Sequence, residues 1–420
     1  MGTWMMRTGI VAAAAAGLLT LAAPVQATGS PGFTIRGAGF GHGVGLSQYG
    51  AYGMAREGYR AVQIVEHYFT GARAIPHADL RAIRVNVGHR LTTARFDAVA
   101  LGKGGGRAEV QLNTRRPVAI PIGTDLKTRA RGSRVVATLI SGSGSRVRIG
   151  KAKLVTLRWA GTRTPGAAGS APTAVRIGKN GGGVAGKLLR YGAIDVATVN
   201  GSLEVVNSLR IHDEYLSGIS EVPASWPAAA LQAQAIAARS YALTRKSIRS
   251  SCRCQSDDGS GPFYDQTFAG WSRVISPMGK RWRAAVTATA SSPTTGLTLM
   301  YRGNPITAFY FSSSGGRTSN SEDVWGGFLP WARSVDDHWS VNPKYNDSGS
   351  AAWKTTRSRA ALAGAFGLPD VARVVVTARY ASTAAKTVRA YSAAGAKKSI
   401  SGQALASRLG LRSTWVWSIK

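Results

Sequence analysis

Seven glutamates occur in this chain of 420 residues, and the neighbours of Glu221 can make its carboxyl group an acid. It lies in Ser220-Glu221-Val222-Pro223, followed by Ser225-Trp226-Pro227. A carboxyl group among apolar side chains is disfavoured as an anion, so its pKa rises and it holds a proton near neutrality. A general acid needs that property. The same spacing also fits a solvated glutamate in a loop. The elements around it decide how it is held. Asp213-Glu214-Tyr215-Leu216 reads as a short capped helix, and Pro223 pushes Val222 into an extended conformation. Ser225 can cap a long alanine-rich helix over 226–249, with Pro227 in its first turn. Glu221 is therefore expected on a short rigid connection at the mouth of a helix.

The rest of the chain alternates between helical and strand-like patterns. Phe33 to Arg36 reads as a strand and leads into glycines at 37, 39, 41, 43 and 45. In an extended chain these share one face, leaving Ala38, Phe40, His42, Val44 and Leu46 on the other. No triple among them has the i, i+2, i+5 spacing of a dinucleotide fingerprint. Ser47 can cap a helix over Gln48 to Glu57, and a second helix follows from Ala61 to Phe69. From Arg81 to about Val206, short alternating runs such as 83–87, 135–139 and 153–157 read as antiparallel strands. The stretch 162–172 and the glycines 181–183 read as loops, and strands return around 297–311. The fold class is α+β, with antiparallel strands and a long central helix.

Residues 1–27 carry Arg7, an apolar stretch from Gly9 to Ala23 and a small-residue end, Val25-Gln26-Ala27. That is the layout of a secretory signal peptide cleaved after Ala27, and about 15 apolar residues fall short of the ~20 a spanning helix needs. The protein is expected to be secreted and associated with the cell wall. A net charge of +33 and a pI near 11.1 call for a polyanion, and denser patches lie at Lys127–Arg134, Arg245–Arg253 and Lys280–Arg283. Secretion and the lack of any nucleic-acid motif argue against nucleic acid and for anionic wall polymers. Only Cys252 and Cys254 occur; their spacing is tight for a disulfide, and with no histidine between His212 and His338 they make a poor zinc set. No metal and no cofactor is expected.

The Glu221 stretch continues through Ala230-Leu231-Gln232-Ala233-Gln234 to Arg239-Ser240-Tyr241, and further pieces follow in order. These are Tyr264-Asp265-Gln266-Thr267-Phe268-Ala269-Gly270, Tyr301-Arg302-Gly303-Asn304-Pro305, Phe309-Tyr310-Phe311 with Ser312-Ser313-Ser314-Gly315-Gly316-Arg317-Thr318, and Val324-Trp325. Together they resemble the stage II sporulation protein D / amidase-enhancer (SpoIID/LytB) family. Gly41-His42-Gly43-Val44-Gly45 with Leu46-Ser47-Gln48 resembles a signature usually found near the end of that domain, whereas its usual predecessor resembles Ser401 to Trp415. The chain thus looks circularly permuted. The expected layout is one domain over 28–420: a permuted segment 28–80, a β-rich region 81–206, a catalytic core 207–330 and a completing segment 331–420.

The resemblance implies a lytic transglycosylase acting on peptidoglycan glycan strands. Glu221 would protonate the oxygen joining N-acetylmuramic acid to N-acetylglucosamine, then take the proton of the C6 hydroxyl that closes a 1,6-anhydro ring. A hydrolase would need a second carboxylate, roughly 5–5.5 or 6.5–9.5 Å away, and Asp265 is the best candidate. Gln232, Gln266, Ser312, Ser313, Ser314 and Thr318 supply uncharged groups suited to sugar hydroxyls and acetamido groups; Tyr241, Gly316, His42, Ser47 and Gln48 complete the binding candidates. Arg239 would lower the Glu221 pKa if it lay within ~4–6 Å, so it is expected further along the groove or in a structural pair. The competing reading is a non-catalytic glycan-binding protein that stimulates a cell-wall amidase.

Overall fold

The computed structural model describes residues 32–163, 169–178, 186–259 and 265–420. The segment read as a signal peptide, the glycines 181–183, the middle of the 162–172 loop and Tyr264 lie outside those residues. The architecture is α+β, arranged around the helix Ala228–Thr244. Apolar residues spread around most of this helix because all but 4 of its 17 residues are buried. Ala230, Leu231, Ala235, Ala238 and Ala242 pack into one core, while Ala233, Ile236 and Ala237 pack into a second. Its alanines let both cores approach the helix axis closely. Pro227 is the N-cap residue and no side chain caps the helix, so the cap expected from Ser225 is not made. The helix stops at Thr244, five residues before the expected end.

The first core lies between two antiparallel layers. A seven-stranded sheet runs in the order Ser256–Asp257, Ala82–Leu91, Ser202–Arg210, Ala193–Val199, Leu154–Trp159, Ala108–Leu112, Val118–Ile120, with only the first pair parallel. A six-stranded sheet runs Arg146–Ala152, Arg134–Ile140, Asp125–Arg131, Thr93–Ala100, Thr173–Ile177, Leu188–Leu189. Val85, Val155 and Val205 from the first sheet share the core with Phe96, Leu126 and Val135 from the second. The second core gathers the helices Gln48–Arg56 and Ala61–Tyr68 against the strand Thr295–Tyr301. Ser47 Oγ accepts from Gly50 N at 3.3 Å, so the first of these helices begins at its expected cap.

The two ends of the described chain meet. The strand Phe33–Gly37 lies between Trp353–Arg357 and Val416–Ile419, antiparallel to both, with Ile35 opposite Ile419. Thr34 and Lys420 exchange both backbone hydrogen bonds, at 2.6 and 3.0 Å. Phe33 and Trp417 thus lie on paired strands, as a circularly permuted order of the motifs requires. These strands roof a third core, with Ile35, Val388, Leu405 and Val416, which also holds the helices Arg359–Phe366 and Gly402–Leu409.

Two sequence expectations are corrected. The glycine run is not extended: Gly39, Gly41, Gly43 and Gly45 all have positive φ, between 80° and 113°, and the strand ends at Gly37. The bare side is needed for tight packing, since a Cβ on Gly43 would sit 2.5 Å from the Trp415 ring and one on Gly45 2.3 Å from the Phe309 carbonyl oxygen. Cys252 and Cys254 do form a disulfide, with Cα atoms 5.1 Å apart, in a turn packed against Val206. The turn after the central helix, closed by hydrogen bonds between Arg249 and Cys254, brings the two thiols together despite the short spacing.

Candidate active site

Glu221 follows Ile219, whose backbone bridges Phe268, and Ser220 N donates to Thr267 O at 2.8 Å. The glutamate is thereby pinned beside the 266–268 segment. Thr267 N donates to Glu221 Oε1 at 2.5 Å, and Tyr310 Oη donates to the same oxygen at 3.0 Å. Burial pushes the Glu221 carboxyl up from its ordinary pKa, against the pull of these hydrogen bonds. Glu221 makes no ion pair among the described residues. Two neutral donors on Oε1 leave Oε2 the better place for a proton.

Tyr310 is itself held in a relay. Gln266 Nε2 donates to Tyr310 Oη at 3.0 Å, and Tyr215 Oη donates to Gln266 Oε1 at 2.9 Å. Burial raises the Tyr310 phenol well above its usual range, so it stays a neutral donor. The strand carrying it is bracketed by the glycine segment: Leu46 pairs with Tyr310, Tyr49 N donates to Ser312 O at 2.9 Å, and Phe40 bridges Ser313. His42 fixes the backbone of Tyr310 directly. Val44 N donates to His42 Nδ1 at 3.1 Å, so the proton sits on Nε2, 3.1 Å from the Tyr310 carbonyl oxygen. Burial lowers the His42 pKa to about 4, so at neutral pH it is an uncharged positioning group. Its ring packs on Trp325, which also meets Phe309 at 4.6 Å. With 45 % of its surface exposed, Trp325 offers an aromatic shelf beside Tyr310.

Asp265 is committed elsewhere. It is 3 % exposed, pairs with Arg249 and with Arg245 at 3.6 Å, and accepts from Tyr241 Oη at 2.9 Å. Tyr241 therefore belongs to this ion-pair cluster, though its ring packs against Phe309 and Tyr310.

Several binding candidates turn out to be structural. Arg239 is fully buried, with Nε 2.8 Å from Asp79 Oδ2, and His212 holds the other oxygen of Asp79 at 2.6 Å. Ser314 is also fully buried and donates to Asp337 Oδ2 at 2.6 Å; Ser313 donates to Ser340 O, and Thr318 to Arg333 O. The glycine turn continues that network, for Gly316 N donates to Ser314 Oγ. Ser47 is spent on its helix cap. Gln232 lines a separate cleft beside Tyr59 and Ala61. Of the candidates, Gln266, His42 and the backbone of Ser312 gather around Tyr310, whereas Gln48 donates to Gln234 at 3.3 Å. Gln234 is buried, and its Nε2 has no partner among the described residues. It lies one helical turn before Ala238, whose carbonyl accepts from Gln266 Nε2 at 3.4 Å. Tyr310, Tyr215, Thr267 and Gln234 were not singled out as site residues from the sequence. Tyr310 and Thr267 stand inside the quoted motifs, and a tyrosine in a run of small polar residues was the available signal.

Residues 199–299 match the family described as SpoIID, Stage II sporulation protein. Over 142 residues the chain is 32% identical to stage II sporulation protein D of Bacillus subtilis (strain 168), covering 32% of this chain and 40% of that protein. A similar match, 32% over 144 residues, is found with the protein of the same name in Bacillus amyloliquefaciens. The chain carries a SpoIID-family domain. It is also 34% identical over 118 residues to the amidase enhancer of Bacillus subtilis (strain 168), covering 28% of this chain and 14% of that protein. The chain therefore spans less than half the length of these relatives. No solved structure matches it. Glu221, Tyr215, Gln266 and Thr267 fall inside the SpoIID match, while Tyr310, His42 and Trp325 fall outside it. The site is thus completed by residues beyond the matched stretch.

Proposed function

We propose that this SpoIID-family protein is a peptidoglycan lytic transglycosylase with Glu221 as its single acid and base. The observation that carries the reading is a half-buried carboxyl group, its pKa raised by desolvation, held by Tyr310 and Thr267 and balanced by no cation among the described residues. Protonated Glu221 gives its proton to the bridging oxygen as the C1–O bond of N-acetylmuramic acid breaks, and positive charge develops at C1. The ionised carboxylate then takes the proton of the same sugar's C6 hydroxyl as that oxygen bonds to C1. One carboxyl group serves both transfers. A hydrolase needs a second carboxylate near the bond, and Asp265 is bound into its arginine cluster.

The likeness to the amidase enhancer favours a second reading, in which the groove grips glycan and stimulates a separate amidase without cutting. Mass spectrometry of purified glycan strands after incubation separates the two. Anhydro ends support transglycosylation, reducing ends mean hydrolysis, and unchanged strands leave the enhancer reading.

A further inference from the structure

We propose that the outer face of the six-stranded sheet is a binding site for a phosphodiester-linked wall polymer of the teichoic-acid type. In a strand, alternate residues face opposite sides. Along Asp125–Arg131, Leu126 and Thr128 point into the core, which turns Lys127, Arg129 and Arg131 to the outside. The strand pairings extend this cationic row across the sheet. Lys127 lies opposite Thr138, itself opposite Arg148; Arg129 lies opposite Val136, itself opposite Lys151; Arg131 lies opposite Arg134. Arg146 continues the edge strand on the same face.

None of these seven cations has a carboxylate partner among the described residues. The carboxylates on this face, Asp125 and Asp97, are taken by Arg95 and Arg176. Arg129, Arg131 and Arg148 line one shallow cleft of about 410 Å³, and Lys127 and Arg146 line another of about 340 Å³.

Like charges two strand spacings apart across the sheet (~9.6 Å) and ~6.8 Å apart along a strand repel one another at about the screening length of ~8–10 Å. Such a lattice is relieved by a ligand that also repeats its charge every few ångströms. No aromatic residue stands on this face in the strands Asp125–Arg131, Arg134–Ile140 and Arg146–Ala152, so nothing there would stack on a base. That favours a polymer recognised through phosphate alone. The face is built from the β-rich layer, apart from the residues around Glu221, so the inference does not rest on glycan cleavage.

The test is binding to purified poly(glycerol phosphate) over a salt series, with phosphatidylglycerol vesicles and double-stranded DNA as parallel probes. Wild type is expected to bind the polymer more tightly than either probe. A triple variant, Arg129→Glu with Arg131→Glu and Arg148→Glu, should lose at least about tenfold. The milder Arg→Gln triple should flatten the log–log salt slope by about 2, taking ~0.7 per contact as for a flexible polyanion. A control with the same change in net charge, Lys354→Glu with Lys397→Glu and Lys398→Glu, exposed positions outside the dense basic patches, should bind nearly as wild type. Unchanged thermal unfolding and glycan binding would show that the variants fold. Equal losses in triple and control, wild-type affinity in the triple, or tighter binding to vesicles or DNA would overturn the proposal.

Discussion

Glu221 is useful because its neighbours are neutral. An arginine at hydrogen-bonding distance would fix it as a carboxylate, and full burial would leave it unable to reach a substrate. Burial keeps the carboxyl group protonated further up the pH scale than an ordinary glutamate, against the pull of the Tyr310 and Thr267 hydrogen bonds. Glu221→Gln should therefore abolish strand cleavage, by ~10²–10⁴-fold, without loss of fold. The stability effect has a definite sign. Because the folded pKa is raised, the native state holds a proton that the unfolded chain has already released. Stability then falls as pH climbs from the ordinary carboxylate range through the raised value. The amide escapes this penalty, so at neutral pH the Gln variant should melt at the same or a higher temperature in calorimetry. Tyr310→Phe makes a second case. Removing a donor to the anion lifts the Glu221 pKa further, so the falling limb of the pH profile for kcat/KM should move to higher pH. A limb that moved down or stayed put would remove Tyr310 from the site.

Elements carry the site by holding residues that are far apart in the chain. This is where reading the sequence succeeded and where it failed. The helix start after Ser47 and the strands near 83, 135 and 154 follow from local pattern and were legible. So was the burial that raises the Glu221 pKa, since Val222, Pro223 and Trp226 lie within five residues of it. Arg239 was legible only as two alternatives, further along the groove or in a structural pair: its partner Asp79 lies 160 residues away, and only the fold shows that the pair is buried. The serines after Phe311 misled for the same reason, since the acceptor that needs Ser314 is Asp337. The glycine run alternates like a strand, yet its conformation is dictated by Trp415 and Phe309. Arg239→Met should thus act on stability first. It leaves the Asp79 carboxylate buried with only His212 beside it, at a cost of about 3–5 kcal/mol, readable as a lower urea midpoint. Activity per folded molecule should be largely kept. A variant as stable as wild type, yet inactive, would return Arg239 to the groove.

For the whole molecule, three cores are joined through the central helix and the strand at the N-terminal edge. The SpoIID match accounts for the stretch around Glu221, while the N-terminal segment completes the support of Tyr310. We read the order of the motifs as a circular permutation of the family arrangement. Joining Lys420 to Phe33 through a short turn and opening the chain at the exposed hairpin between Ala394 and Gly395 should give a folded protein. Its thermal unfolding and glycan cleavage should match the parent, because neither cut nor join disturbs a buried strand. An unfolded product would mean that the pairing of the end strands depends on free ends.

The same pairing has a mechanical meaning. Thr34 and Lys420 sit opposite each other at the open end of an antiparallel pair. A pull on the two ends of the folded chain therefore loads one rung of hydrogen bonds at a time, as in a zipper, instead of shearing a whole ladder at once. The end-strand sheet would part at low force. The third core would be uncovered next, while the two cores around the central helix, and Glu221 with them, stayed outside the line of tension.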